Sequence, residues 1–153
     1  MSLQSKIQKE KTSKSSDKMK IDAENLIVGR MATVAAKHAL QGEQVEIINC
    51  DKAVISGNSA WLKDEWTRKR HQGTHRSGPY YDKRPERFVK RIIRGMLPHR
   101  QAKGEAALKR ITCHVSAPEG SSGHKTIEEA NFKKLKSARF MYIKDIVKTM
   151  GGK

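Results

Sequence analysis

The chain has 153 residues, 36% of them hydrophobic and 31% charged, with a formal net charge of +16 at pH 7. That length fits a single domain with a core of its own. No apolar run approaches the roughly 20 residues of a membrane span, and the amino terminus, with only Leu3 and Ile7 apolar, holds no signal-peptide core, so a cytoplasmic protein is expected. Cys50 and Cys113 stand far apart without a C-x-x-C or a His-rich partner. Neither zinc nor a disulfide framework is expected, and both read as small apolar core residues. The charge is segregated, because residues 60–103 hold 13 cations against 4 anions. A solvated lysine coat does not explain that confinement, whereas a surface that attracts phosphate-bearing partners does.

Along the chain, residues 1–18 are rich in Lys, Ser and Gln and read as a disordered basic tail. Lys20–Ala23 is a short strand candidate, and Leu26–Val28 extends its apolar run. Gly29 then opens a helix with Met31, Val34, Ala35, His38 and Ala39 on one face and Gly42 suited to the cap beyond it. Q-V-E-I-I-N over Gln44–Asn49 is the clearest strand, and Ala53–Ser56 a further short one. A helix over about Ala60–Arg70 can be capped by Asn58 or Ser59. His71–Arg84 has no periodicity and reads as a functional loop. Pro85 suits the first turn of a helix to Leu97 that Pro98 closes. Gly104–Arg110 reads as helix, Ile111–Val115 as strand, Ser116–Lys125 as loop and Phe140–Met150 as a final helix. Alternating strands and helices give an α/β domain with a mainly parallel sheet, expected to be buried on both faces.

The segment Arg84–Gly104 is amphipathic and basic at once. As a helix it places Phe88, Val89, Ile92, Ile93 and Met96 on a core face, and Arg87, Lys90, Arg91 and Arg94 on the other. One face can be held by the protein while four cations meet a polyanion. The loop before it combines His71, His75, Arg76, Tyr80, Tyr81, Lys83 and Arg84, a mixture that lets rings stack on bases while cations reach phosphates. The preceding helix ends in Arg68, Lys69 and Arg70, and His99, Arg100 and Lys103 follow the Pro98 stop. Arg30, at the Gly29 turn, either meets phosphate with nearby amides or is a solvent-exposed side chain; the dipeptide alone does not decide. His38, Trp61 and Trp66 read as packing residues. His71 and His75 have no Cys nearby and only Asp82 as an acid, which disfavours a metal.

G-S-S-G-H-K-T over Gly120–Thr126 imitates a phosphate-binding loop, but His124 separates the glycine from Lys125 and the first spacing is short. A surface loop is the better reading. No nucleophile elbow, H-E-x-x-H or paired-carboxylate motif is present, and charge alone leaves DNA and RNA both open as the polyanion.

Several ordered pieces carry a family resemblance: I-D-A with L-I-V-G-R-M-A (Ile21 to Ala32), G-E-Q-V-E-I-I-N-C-D-K-A-V-I-S-G-N (Gly42 to Asn58), S-G-P-Y (Ser77 to Tyr80), and R-G-M-L-P-H with the later Gly104, Ala107 and Leu108. With these the chain resembles the universal large-subunit ribosomal protein family L-thirteen, from about Ile21 to Val115, and R-G-M-L-P followed by G-x-x-A-L is the most specific part. The resemblance implies a three-layer, single α/β domain over 19–153, with a four-stranded, mainly parallel sheet flanked by helices. It implies a non-catalytic, cytoplasmic, ribosome-bound protein without cofactor, metal or small-molecule substrate. Its partners would be 23S-type ribosomal RNA and neighbouring large-subunit proteins. The form of Val45–Asn58 and of the loop is similar to archaeal and eukaryotic members, and the absence of a long helical carboxy-terminal extension favours an archaeal source.

Overall fold

The computed structural model describes residues 18–74, 76–118, 123–135 and 139–152. Most of the expected basic tail, residues 1–17, lies outside them, and Lys18 already belongs to the first strand. In chain order the elements are β1 (Lys18–Asp22), α1 (Val28–Gln41), β2 (Gln44–Ile48), β3 (Val54–Ser56), α2 (Ser59–His71), α3 (Pro85–Met96), α4 (Ala102–Lys109), β4 (Ile111–Cys113), β5 (Phe140–Tyr142) and α5 (Ile143–Thr149). Short 3-10 turns occupy Cys50–Lys52, Glu128–Ala130 and Phe132–Lys134. The α/β class follows from this alternation.

β1, β2 and β4 form a parallel sheet in the order β1-β2-β4. Lys125 adds a single parallel bridge to Ile21 at its outer edge, a rudimentary fourth strand. β3 and β5 form a separate antiparallel pair. The domain therefore combines parallel and antiparallel pairing, and one expectation about the parallel sheet is corrected. Val45 and Ile47 are buried with Ile21 and Ile111, but Lys20, Glu46 and Thr112 stand in register on the opposite face and retain solvent access. A charged side chain in mid-strand cannot be buried cheaply, so V-E-I alternates across a half-covered sheet.

α1 buries Val28, Met31, Ala32, Ala35, Ala36 and Ala39 and packs on β2, α3 and α4. The small alanines bring the helices close. Gly42 closes α1 at φ 104°, where its amide donates to the Ala39 carbonyl at 3.2 Å. Val34 and His38 sit at the edge of the buried stripe, and the His38 Nδ1 lies 2.7 Å from Glu43 Oε2. Gly29 lies inside the first turn of α1 rather than in a turn before it, and a Cβ there would meet nothing. On α3, Phe88, Val89 and Ile93 are buried, Ile92 is half-buried, and Met96 is exposed, its sulfur accepting from Thr33 Oγ1 at 3.6 Å. Met96 is the last residue of the helix, already past the packed stripe.

The corner between α3 and α4 explains the most specific motif. Leu97 and Ala107 are buried, and Gly104 lies so near Pro98 that a Cβ would fall 2.1 Å from its carbonyl oxygen. α4 consequently starts at Ala102, two residues before the expected position. The final helix is shorter than its periodicity suggests. Phe140–Tyr142 pairs with β3, Ile55 opposite Met141, and only then does α5 begin. An aromatic-rich F-M-Y prefers a half-buried pleat, and the apolar spacing of Ile143, Val147 and Met150 carries the helix alone. Trp61, expected to pack, is 61% exposed at the start of α2, while Leu62 is buried in its place.

Candidate nucleic-acid interface

α3 is held on one side by Phe88, Val89 and Ile93, and its opposite side lines an open groove of ≈ 780 Å³ with the chain before it. Tyr80, Tyr81, Asp82, Leu108 and an edge residue of the core stripe, Phe88, complete the lining around Arg87, Lys90, Arg91 and Arg94. The four cations of the helix do different work. Lys90 donates to the Ile111 carbonyl at 2.7 Å, joining α3 to β4. The Arg91 guanidinium carbon stands 3.7 Å from the centroid of the Tyr81 ring, and its Nη1 donates to the Tyr80 carbonyl. These two are turned inward and build the groove. Arg87 and Arg94, each three and four residues from the inward pair, are exposed at its rim.

Asp82 organises the entrance. Its carboxylate accepts from the Arg84 backbone amide at 3.1 Å and lies 3.1 Å from Arg87 Nη1. Burial pushes the Asp82 carboxyl up, but the Arg84 hydrogen bonds and the Arg84 and Arg87 charges outweigh it and hold it below the usual range. The sequence signal is one acid placed two and five residues before arginines, a spacing not used in the sequence reading.

The basic end of α2 reaches the groove through aromatic rings. Lys69 Nζ lies 4.6 Å from the centroid of the Trp66 ring, which packs at a steep angle to Phe88 and Tyr81 with centroids 4.6 and 6.0 Å apart. Trp66 thus packs, as expected. Glu65 takes Arg68 in a two-point contact, Nε and Nη2 both at 2.9 Å, and Lys69 at 3.2 Å. The Arg68 hydrogen bond, then that of Lys69, lowers the Glu65 carboxyl to about 2. Arg70 is half-buried and, with Lys83, faces Gly151. His71 and Arg76 are exposed, and His75 lies outside the described residues. His99, Arg100 and Lys103 are exposed on the α3–α4 corner, where the His99 ring nitrogen Nδ1 is 3.3 Å from the Leu97 carbonyl.

Arg30 stands apart. Its Nη1 donates to the Glu129 carbonyl at 3.1 Å, and it lines a different groove with Thr33 and Ile127. In the phosphate-loop imitation, Gly120 to Ser122 lie outside the described residues. The Lys125 amide donates to the Lys20 carbonyl at 3.0 Å, so that backbone group serves the sheet rather than an anion. Among the described residues no group of three or more His, Cys, Asp or Glu side chains is placed to hold a metal. Among them, too, no helix is long and apolar enough to cross a membrane.

Residues 16–119 match the family described as Ribosomal protein L13. The large ribosomal subunit protein uL13 of Methanosarcina barkeri is 40% identical over 136 residues, covering 87% of this chain and 97% of that protein. Its counterpart in Methanococcoides burtonii is 38% identical over 135 residues, with 87% and 97% covered. That of Methanocaldococcus jannaschii is 34% identical over 137 residues, again with 87% and 97% covered. With the family match over residues 16–119 and 34 to 40% identity to these archaeal relatives over 87% of its length, the chain belongs to the archaeal-type ribosomal protein L13 family.

Proposed function

We propose that the chain is a structural constituent of the large ribosomal subunit that binds ribosomal RNA at the α3 groove. It would work on cytoplasmic ribosomes, with other large-subunit proteins as neighbours. The family is structural and non-catalytic, so the chemistry to be explained is binding. The observation that carries the reading is the division of labour on α3: Lys90 and Arg91 fix the groove from within, leaving Arg87 and Arg94 at its rim for phosphates. Guanidinium groups suit that task because their planar donors can engage two phosphate oxygens at once. The basic end of α2, Arg76, Lys83 and the exposed cations of the α3–α4 corner extend the surface. Arg30 contributes from its separate groove. Recognition of this kind depends on RNA shape more than on sequence.

Binding to fragments of large-subunit RNA, followed as a function of salt, tests the reading. Each lost phosphate contact lowers the slope of log K against log salt by about 0.7 to 0.9, so Arg87→Ala with Arg94→Ala should lower it by about 1.4 to 1.8. An unchanged slope in a folded double variant refutes the assignment. Equal competition by duplex DNA would refute the preference for RNA.

A further inference from the structure

Cys50 and Cys113 are 63 residues apart in the chain, and the fold brings them together at one corner of the core. β2 and β4 run parallel with Ile47 opposite Cys113, and strand alternation puts Cys113 on the core face with Ile111. Just past β2, Asn49 takes a left-handed conformation at φ 55°, held by a 2.8 Å hydrogen bond from its side-chain amide to Asp22 Oδ1. The chain therefore turns at Cys50 and lies against the end of β4. The Cys50 amide donates to the His114 carbonyl at 3.2 Å, and the His114 amide donates to the Ile47 carbonyl at 2.8 Å. That same Ile47 oxygen lies 3.9 Å from Cys50 Sγ. These contacts pin the Cys50 thiol beside the Cys113–His114 peptide. The thiols themselves meet: a hydrogen bond with Cys113, then burial, pushes the Cys50 thiol well above its ordinary range.

The two sulfurs differ in access. Cys50 has no exposed surface, whereas Cys113, the last residue of an edge strand, is half-buried, and both thiols are free. A buried thiol kept protonated is inert towards reagents from solution, and Cys113 is the one they reach first. Neither side chain lines the α3 groove. The chain between them carries α2, α3 and α4, so a covalent link at this corner would close a loop around all three helices.

We propose that Cys50 and Cys113 form a two-thiol oxidation site, in which Cys113 meets a peroxide and Cys50 converts the product to a reversible disulfide that braces α2, α3 and α4. The inference goes beyond the RNA reading and does not rest on it. In the first step the Cys113 sulfur gives its proton to solvent and attacks a peroxide oxygen. The O–O bond breaks, the thiol becomes a sulfenic acid, and the second oxygen leaves as water. In the second step the Cys50 sulfur attacks the Cys113 sulfur, the S–O bond breaks, and the hydroxyl leaves with the Cys50 proton as water. Two thiols are oxidised by two electrons in all, and one hydrogen peroxide is reduced to two waters. The second step is intramolecular, and proximity offsets the low acidity of Cys50. The link restricts the unfolded chain, and the restriction grows with the length of the loop it closes.

The test adds hydrogen peroxide to the reduced full chain, up to the dose that oxidises the exposed Met96. Remaining thiols are blocked with N-ethylmaleimide, and peptides are mapped by mass without reduction. A linked Cys50–Cys113 peptide, lighter by two hydrogens and opened again by dithiothreitol, is expected. The linked chain should melt higher by on the order of 10 °C. Cys50→Ala should leave Cys113 to gain one or more oxygens without a link. Cys113→Ser, at a half-buried position that tolerates a hydroxyl, should leave Cys50 unmodified at the same dose. Oxygens gained at Cys113 of the unaltered chain while Cys50 stays reduced overturn the site. Links between chains in place of the internal one overturn it as well, and so do two thiols unchanged when Met96 is oxidised. A linked chain that melts no higher than the reduced one overturns the bracing.

Discussion

α2 and α3 are both strongly basic helices, yet they use their cations in opposite ways. In α2 the Arg68 and Lys69 charges are met within the helix, three and four residues from Glu65. In α3 the inward pair, Lys90 and Arg91, reaches carbonyls of other segments, Ile111 on β4 and Tyr80 in the preceding loop. The anchoring differs in the same direction: α2 buries only Leu62 fully, whereas α3 buries Phe88, Val89 and Ile93. A cation on a well-anchored helix can be used to position other segments. On a helix with a single fully buried side chain, a local partner is the cheaper solution. A run of Arg and Lys is therefore not a count of charges available to a ligand, and the two helices can be separated by experiment.

The largest effect is expected from their anchors. Ile93 is fully buried among the helices and the sheet, and Ile93→Ala should destabilise the whole domain by about 2 to 5 kcal/mol. Leu62→Ala should cost less, near the lower end of that range, because α2 can tilt or fray without opening the main core. Denaturant unfolding with hydrogen exchange distinguishes the cases. Ile93→Ala should lower protection in α1, α3 and β2 together, and Leu62→Ala mainly in α2. Equal loss of protection everywhere in both variants would remove the contrast between the anchors.

A smaller effect is expected from the inward cations. Arg91→Ala removes a stacked guanidinium and a hydrogen bond to the Tyr80 carbonyl, a loss of about 1 to 2 kcal/mol. Lys90→Ala should fall in the same range. The salt dependence of RNA binding should change less for this pair than for Arg87→Ala with Arg94→Ala, although the inward pair lowers stability more. If the inward pair changes the slope as much as the rim pair, Lys90 and Arg91 face phosphates as well.

Much of this architecture was legible in the residues. Q-V-E-I-I-N, the Gly42 cap, Pro85 at the start of α3 and the stop at Pro98 are local signals, and local interactions realise them. The mistakes came where distant partners decide. Phe140 to Tyr142 has a spacing compatible with a helix, but β3 supplies an edge that turns it into a strand. Val-Glu-Ile reads as buried because a mainly parallel sheet is expected to be covered on both faces, whereas Glu46 and its partners in register, Lys20 and Thr112, keep solvent access. Trp61 looked like core because of its type, while its neighbour Leu62 took that place. For the candidate interface, periodicity placed four cations opposite a core stripe. Which of them turn inward depends on where the Ile111 and Tyr80 carbonyls lie, and no spacing within α3 records that.

The smallest predicted effect concerns Glu65, the device by which α2 holds its own charges. The hydrogen bonds from Arg68 and Lys69 favour the ionised carboxylate in the folded chain and lower its pKa from 4.5 to about 2. The sign follows from which form the fold prefers. The contribution to stability is fully present above about pH 4.5 and is lost as pH falls through about 2. Because the group is at the surface, the gain is small and screened by salt, so a titration reveals it better than a melting curve. Carboxyl carbon shifts should give Glu65 a midpoint well below that of an unpaired glutamate. Arg68→Ala should move it back towards 4.5 by removing the larger cause, and Lys69→Ala should move it less. A midpoint that ignores Arg68→Ala would show that the helix does not hold its basic end through Glu65. The Arg68 and Lys69 charges would then be as available to a polyanion as Arg94 at the rim of the α3 groove, and the contrast between the helices would rest on their anchors alone.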